Sequence, residues 1–214
     1  MKRTALVVFS GLFMRVAAYA ALLAGVTVLM HQGAHWPYEM SFYGENGLIE
    51  WLQVTFLVIS IAVLWRCGSI DRDRRQVMIV LGLLLAATIA REWDKICDAY
   101  FCRHAWKVIS GSLIAAAAWV AVRKSGTFYR AALHLTRQPS FGIMLTGGLI
   151  VLIFSRLFGA GDFWDQLIEE NRGIAREVKK VAEECTELMG YFFIMTGTLE
   201  HWHETRIRKR KRLP

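Results

Sequence analysis

Six apolar runs of membrane-spanning or nearly spanning length, at about residues 5–30, 47–66, 76–93, 107–123, 141–158 and 181–200, dominate this chain of 214 residues. Hydrocarbon offers a backbone no hydrogen-bonding partner, so runs of this kind are expected to close their polar groups internally as helices. Composition agrees: 55% of the residues are hydrophobic and only 3 are proline, against roughly 45–50% apolar in an ordinary soluble domain. The expected fold is all-α, a polytopic transmembrane helix bundle of about six spans. It forms one domain over 1–204, followed by a basic cytoplasmic tail, 205–214. The first run follows Lys2 and Arg3 like a secretory signal, yet it is long, lacks a clear small-residue cleavage site and carries Arg15. It is therefore read as a true helix.

Loop charge sets the expected orientation. With the N-terminus inside, the inner segments hold 16 Lys and Arg and the outer ones 9, and the first outer loop, 31–46, holds none. Both termini are thus expected in the cytoplasm of a bacterial inner membrane. The formal charge of +8 is concentrated in Arg206 to Arg212. Such a tail suits anionic lipid headgroups, and no nucleic acid is expected.

This topology gathers acids at the outer ends of three helices: Glu50 opens the second, Glu92, Asp94 and Asp98 close the third, and Glu183, Glu184 and Glu187 open the sixth. Ionisable groups in or near a bilayer are expensive and mark candidate sites. On an unbroken helix Arg91, Asp94, Lys95 and Asp98 form one stripe, with Glu92 about 100° from Arg91. Glu50 and Gln53 share a face, as do Glu184, Glu187 and Tyr191, and Gly190 beside them lets a neighbouring helix approach closely. Arg91, Lys107 and Arg156 supply cations at the same level. Glu187 lies inside its apolar run, and Arg156 follows a long stretch without charge, so both are expected below the headgroups. The binding cluster is accordingly Glu50, Gln53, Arg91, Glu92, Asp94, Asp98, Lys107, Arg156, Glu183, Glu184, Glu187 and Tyr191. An outer salt-bridge network with an aromatic belt would use the same residue types.

A divalent metal is one option for such a cluster, with Glu50, Glu92, Asp94, His104 and Glu187 as the ligand pool, although the Glu-x-x-His pattern of bundle metal sites is missing. No zinc-hydrolase motif, nucleophile elbow, phosphate loop or Cys-x-x-Cys occurs. Cys97 and Cys102 both fall outside, and bridging them requires a helix break near 98–101. Arg15 and Glu200 lie at similar depth and form a candidate buried ion pair, the alternative being an Arg15 that snorkels to the inner headgroups. Residues 159–180 carry Phe163, Trp164, Leu167 and Ile168 opposite Asp165, Glu169 and Glu170, the pattern of a short amphipathic interfacial helix before the last span.

The stretches Glu45-Asn46-Gly47-Leu48-Ile49-Glu50-Trp51-Leu52-Gln53, Arg91-Glu92-Trp93-Asp94 with Asp98, Trp106-Lys107, Phe154-Ser155-Arg156-Leu157-Phe158-Gly159 and Glu183-Glu184-Cys185-Thr186-Glu187-Leu188-Met189-Gly190-Tyr191 resemble an uncharacterised family of small polytopic inner-membrane proteins of proteobacteria. The resemblance spans roughly 40–200. It implies a topology and a set of residues to watch, and no substrate. Three functional classes follow from the residues. The leading one is an outward-facing mixed-charge intramembrane site that binds a small charged species, transporter-like or ion-handling, with Glu50, Glu92, Asp94 and Glu187 as its acids and Arg91 and Arg156 as counter-ions. The second is a membrane-embedded hydrolase or transferase acting on lipid headgroups, with Arg91, Lys107 or Arg156 on a phosphate. The third is a non-catalytic assembly or scaffold subunit. Oligomers are compatible with all three.

Overall fold

A computed structural model describes residues 2–33, 43, 47–168 and 172–212, with side chains from residue 10 onward except those of Lys95, Lys211 and Arg212. The described residues are helical and contain no strand. In chain order the helices are α1 (Lys2–Gly33), α2 (Leu48–Ile70), α3 (Arg75–Glu92), α4 (Asp94–Tyr100), α5 (Ala105–Arg123), α6 (Ser125–Thr136), α7 (Pro139–Phe158), α8 (Gly161–Leu167) and α9 (Arg172–Arg212). Four of them are long and apolar enough to cross a membrane: Ser10–Gly33 of α1, then α2, α5 and α7. The runs at 76–93 and 181–200 are helical too. Their hydropathy is lowered by Arg75, Arg91 and Glu92 in α3 and by Glu183, Glu184, Glu187 and Glu200 in α9.

The bundle is ordered α5, α3, α2, α9, α7, each packing on the next, with α1 against the flank of α9. At one end Ile49, Phe56 and Leu57 of α2 meet Leu188, Phe192 and Met195 of α9. At the other, Val63 and Leu64 of α2 meet Val77 and Met78 of α3. Residues 124–140, expected as a mere connection, contain the helix α6. Its Phe128, Ala131, Ala132 and Leu135 recur at helical spacing and pack into the second core.

Two helices are held unusually close. A Cβ added at Gly147 of α7 would lie 2.5 Å from the Gly190 carbonyl oxygen of α9. Neither position has room for a side chain, so the backbones themselves are in contact. Beyond that contact, residues Ile150–Phe154 of α7 widen into a π turn. The altered register sets how Ser155 and Arg156 leave the helix.

Of the expected interfacial segment, the first stretch is described through Ile168. Gly161–Leu167 form α8, in which Trp164 Nε1 donates to the Phe158 carbonyl at 2.6 Å and Phe163 packs edge-on against Trp164. Asp165 and Leu167 are exposed. Helix α9 then starts at Arg172 and runs 41 residues, about 60 Å and twice a hydrocarbon core. It passes without a break through the 204/205 boundary, where Thr205 is buried and Arg208 donates to it at 2.9 Å. Residues 205–212 continue that helix. Glu45, Asn46, Glu169 and Glu170 lie outside the described residues, as does most of the first loop.

Candidate functional site

Glu187 faces inward from α9 and is 3% exposed. Its Oε1 accepts from Arg91 Nη2 of α3 at 2.7 Å, from Ser155 Oγ of α7 at 3.1 Å and from Arg156 Nη2 of α7. One carboxylate oxygen therefore ties three helices together. Charge-assisted bonds of this kind are roughly twice as strong as neutral ones.

The neighbouring acids each take a share of the same donors. Glu92 Oε1 accepts the Tyr191 hydroxyl at 2.7 Å and lies 3.5 Å from Arg91 Nη2. Glu183 Oε1 lies 3.4 Å from Arg156 Nη2. Its carboxylate also fills the space beside Gly159, where an added Cβ would come within 2.6 Å of Oε1. Glu184 is served by a neutral group: Gln53 Nε2 of α2 donates to its Oε2 at 2.9 Å and to its carbonyl at 3.2 Å. Gln53 is fully buried, and its Oε1 has no hydrogen-bond partner among the described residues. Helices α2, α3, α7 and α9 thus bring eight expected or adjacent side chains into one site, Gln53, Arg91, Glu92, Arg156, Glu183, Glu184, Glu187 and Tyr191, with Ser155 added to them.

Burial grades the site. Glu187, Glu92 and Tyr191 form its closed side, while the Arg156 side chain is 49% exposed and Glu183 26%. Four carboxylates meet two guanidinium groups among the described side chains. Buried charge is tolerated when paired, and an unbalanced excess raises the cost.

Several expected members are elsewhere. Trp93 leaves helical geometry (ψ 35°) and packs edge-on against Trp51 of α2 at 5.7 Å, so α3 stops at Glu92 and α4 begins at Asp94. The stripe of Arg91, Asp94, Lys95 and Asp98 needs an unbroken helix and does not form. Arg91 and Glu92 instead both turn to α9, Arg91 to Glu187 and Glu92 to Tyr191, and among the described residues no hydrogen bond or ion pair joins Asp94 or Asp98 to the cluster. Asp98 Oδ1 is buried without a hydrogen-bond partner among the described residues. Lys107 is exposed, its Nζ 5.6 Å from the Trp106 ring centroid. His104 is also exposed, in a left-handed turn (φ 67°) between α4 and α5. Glu50 sits one turn before Gln53, within Coulombic reach of Glu184.

The structure does not gather the expected ligand pool of Glu50, Glu92, Asp94, His104 and Glu187 into one site. Among the described residues no group of three or more His, Cys, Asp or Glu side chains converges as a metal site. Guanidinium groups occupy the Glu187 oxygen on which ligands would have to converge, and His104 has been carried away by the break at Trp93. The four cysteines are free. A helix end does fall between Cys97 and Cys102, yet it leaves Cys102 exposed and Cys97 beside the Ala90 carbonyl. Burial, with Asp98 and Asp94 nearby, pushes the Cys97 thiol above its ordinary range.

Sequence reading did not place Ser155 or Gly159 in the site. Their signal was present in the Ser-Arg pair closing a charge-free run and in a glycine one turn later. A second polar network at the opposite end was also overlooked. There Ser140 Oγ donates to Glu204 Oε2 at 2.8 Å, beside a fully buried His201. The Gln138 amide orientation that satisfies both its ends gives Nε2 to His201 Nδ1 and Glu204, and Oε1 to Arg74 and Arg208. Nearby Arg15 Nε lies 2.8 Å from Glu200 Oε1, which also accepts Tyr19 at 2.9 Å. Between the two networks the buried hydroxyls of Ser60, Thr196 and Thr198 bond back to carbonyls of their own helices. They offer no continuous polar path.

Comparison of the chain with protein-family models, with curated proteins and with solved structures finds no match.

Proposed function

We propose that this chain is a multi-pass protein of the bacterial inner membrane, with about six spans and both termini in the cytoplasm, whose outward-facing mixed-charge site binds a small charged species. The four apolar helices support the membrane reading, and α3 and α9 complete the six spans as interior helices. The resemblance to small proteobacterial inner-membrane proteins and the excess of Lys and Arg on one side favour the orientation. In that frame the basic end of α9 rests against anionic headgroups.

The observation that carries the function is the imbalance of charge at a site with one open side. Arg91 and Arg156 share Glu92, Glu183 and Glu187 between them, and among the described residues Glu184 has only the Gln53 amide. A small cation entering beside Glu183 and Glu184 would restore balance. The species bound is accordingly a cation, and the apolar interior below Tyr191 favours binding over passage through the protein. Ion handling is therefore preferred to transport within this reading.

The test is thermal unfolding of the purified protein in detergent with ammonium, alkylammonium, guanidinium and alkali-metal chlorides at equal ionic strength. A ligand of the native state raises Tm with the logarithm of its concentration above Kd, adding about 2.7 kcal/mol of stability at a hundredfold excess over Kd. One cation class should raise Tm in the wild type and fail to do so in Glu184→Gln. Equal responses to every salt in both proteins would leave the cluster as the brace of a scaffold subunit.

A further inference from the structure

At the end of the bundle opposite the mixed-charge site, a groove of about 400 Å³ runs between α2 and α3. Its walls are apolar over most of its length, from Ala86 and Leu83 down to Ile61 and Trp65. Along α3 it extends from Ala86 to Arg75, about 16 Å. Gly82 opens its floor, since a Cβ added there meets nothing within 4 Å.

The basic end of the groove is unlike its surroundings. Arg72 and Arg75 line it, both exposed and neither in an ion pair among the described residues. Their neighbour Arg74 is buried and pairs with Asp71 at 3.4 Å. The two acids of this turn, Asp71 and Asp73, line a different recess with Arg74 and Arg130. No acidic side chain lines the groove itself. An apolar slot closed by two uncompensated guanidinium groups has the chemistry of a chain attached to a phosphate. We propose that this groove holds one anionic glycerophospholipid, with an acyl chain along Gly82 and its phosphate on Arg72 and Arg75. The site is separate from the mixed-charge cluster and from the basic end of α9. A second copy of the chain fits less well, because a two-fold contact through this face would set the same arginines against each other.

Native mass spectrometry of the full-length protein, titrated in detergent with phosphatidylglycerol or phosphatidylcholine of identical chains, tests the assignment. The wild type should bind the first phosphatidylglycerol on the order of tenfold more tightly than phosphatidylcholine, as two basic contacts near a membrane surface supply. The double variant Arg72→Ala/Arg75→Ala should lose that preference. Lys124→Ala/Arg137→Ala, which removes the same charge from exposed positions at the same end and off the groove, should keep it. Gly82→Phe should weaken binding of both lipids by filling the slot. The proposal is overturned if the two double variants bind alike, if Gly82→Phe binds as the wild type does, or if the groove variants change a dimer population in place of lipid adducts.

Discussion

Arg91 Nη2 of α3 and Glu187 Oε1 of α9 lie 2.7 Å apart, joining residues 96 positions apart in sequence. Glu187 is the shared acceptor of both arginines, whereas Arg91 is one of three donors to it, with Ser155 and Arg156. Removing the carboxylate takes the shared acceptor from both cations and leaves Arg91 with Glu92 at 3.5 Å and Arg156 with Glu183 at 3.4 Å, a loss of up to about 3–5 kcal/mol, the cost when a buried pair is broken. Glu187→Ala should therefore destabilise the protein by that order and Arg91→Ala by less, because Arg156 still neutralises Glu187. Unfolding in mixed micelles measures both, and the reverse order would remove Glu187 from the centre of the network.

Much of this geometry was readable from spacing and depth. The apolar run around Glu187 and the charge-free stretch before Arg156 place both below the helix ends, where they meet. Glu184 and Gln53 follow from the faces they share with Glu187 and Glu50. What could not be read was the break at Trp93. Periodicity continues through Asp94 and Asp98 as if the helix did, and only the packing of Trp93 on Trp51 decides otherwise. The π turn in α7 is equally silent in sequence, yet it aims Ser155 at Glu187. Helix α6 failed for a different reason, since its stripe of Phe128, Ala131, Ala132 and Leu135 is short and lies between cations.

Tyr191 hydrogen-bonds Glu92 at 2.7 Å from a position almost wholly buried. Tyr191→Phe keeps the ring packing and removes the donor, leaving Glu92 with Arg91 at 3.5 Å. A buried acceptor deprived of its partner costs about 1–3 kcal/mol. The same unfolding measurement should show this loss in the wild-type background and a smaller one in Glu92→Gln, where the acceptor is no longer charged. Equal losses in both backgrounds would mean the hydroxyl acts elsewhere.

Gly147 and Gly190 face each other with no space for a methyl group. Gly147→Ala must drive α7 away from α9, and overpacking of this kind typically costs about 1–3 kcal/mol. Because Ser155 and Arg156 stand two turns further along α7, the displacement should also disturb their bonds to Glu187. The expected result is a stability loss that shrinks when Glu187→Ala is already present. Strict additivity of the two substitutions would show that α7 tilts without moving the site.

Arg15 and Glu200 lie 2.8 Å apart with side chains 28% and 17% exposed, a pair half shielded from solvent. Tyr19 shares the Glu200 oxygen, and His203 Nε2 lies 3.1 Å from Arg15 Nη1. A double-mutant cycle with Arg15→Ala and Glu200→Ala should give a coupling energy of about 0.5–3 kcal/mol, the range for residues in direct contact. Without that coupling, α1 would be held to α9 by apolar packing alone.

Glu204 lies beyond the 181–200 span, at the end where Ser140, His201 and Gln138 converge. Burial pushes its carboxyl up, but the neighbouring His201 ring and the Ser140 hydroxyl that donates to it outweigh burial and hold it below its ordinary value of 4.5. A carboxylate with a depressed folded-state pKa contributes stability that is present above the unfolded value and lost as pH falls through the folded one. Acid titration of the purified protein should therefore show part of its stability disappearing below about 4.5, the unfolded reference. Ser140→Ala removes the 2.8 Å donor and should move that loss to higher pH, while leaving stability at neutral pH lower by about 0.5–1.5 kcal/mol. Glu204→Gln should flatten this part of the profile. An acid limb unchanged in both variants would assign it to other carboxylates, and the Ser140 contact would then be packing without electrostatic consequence.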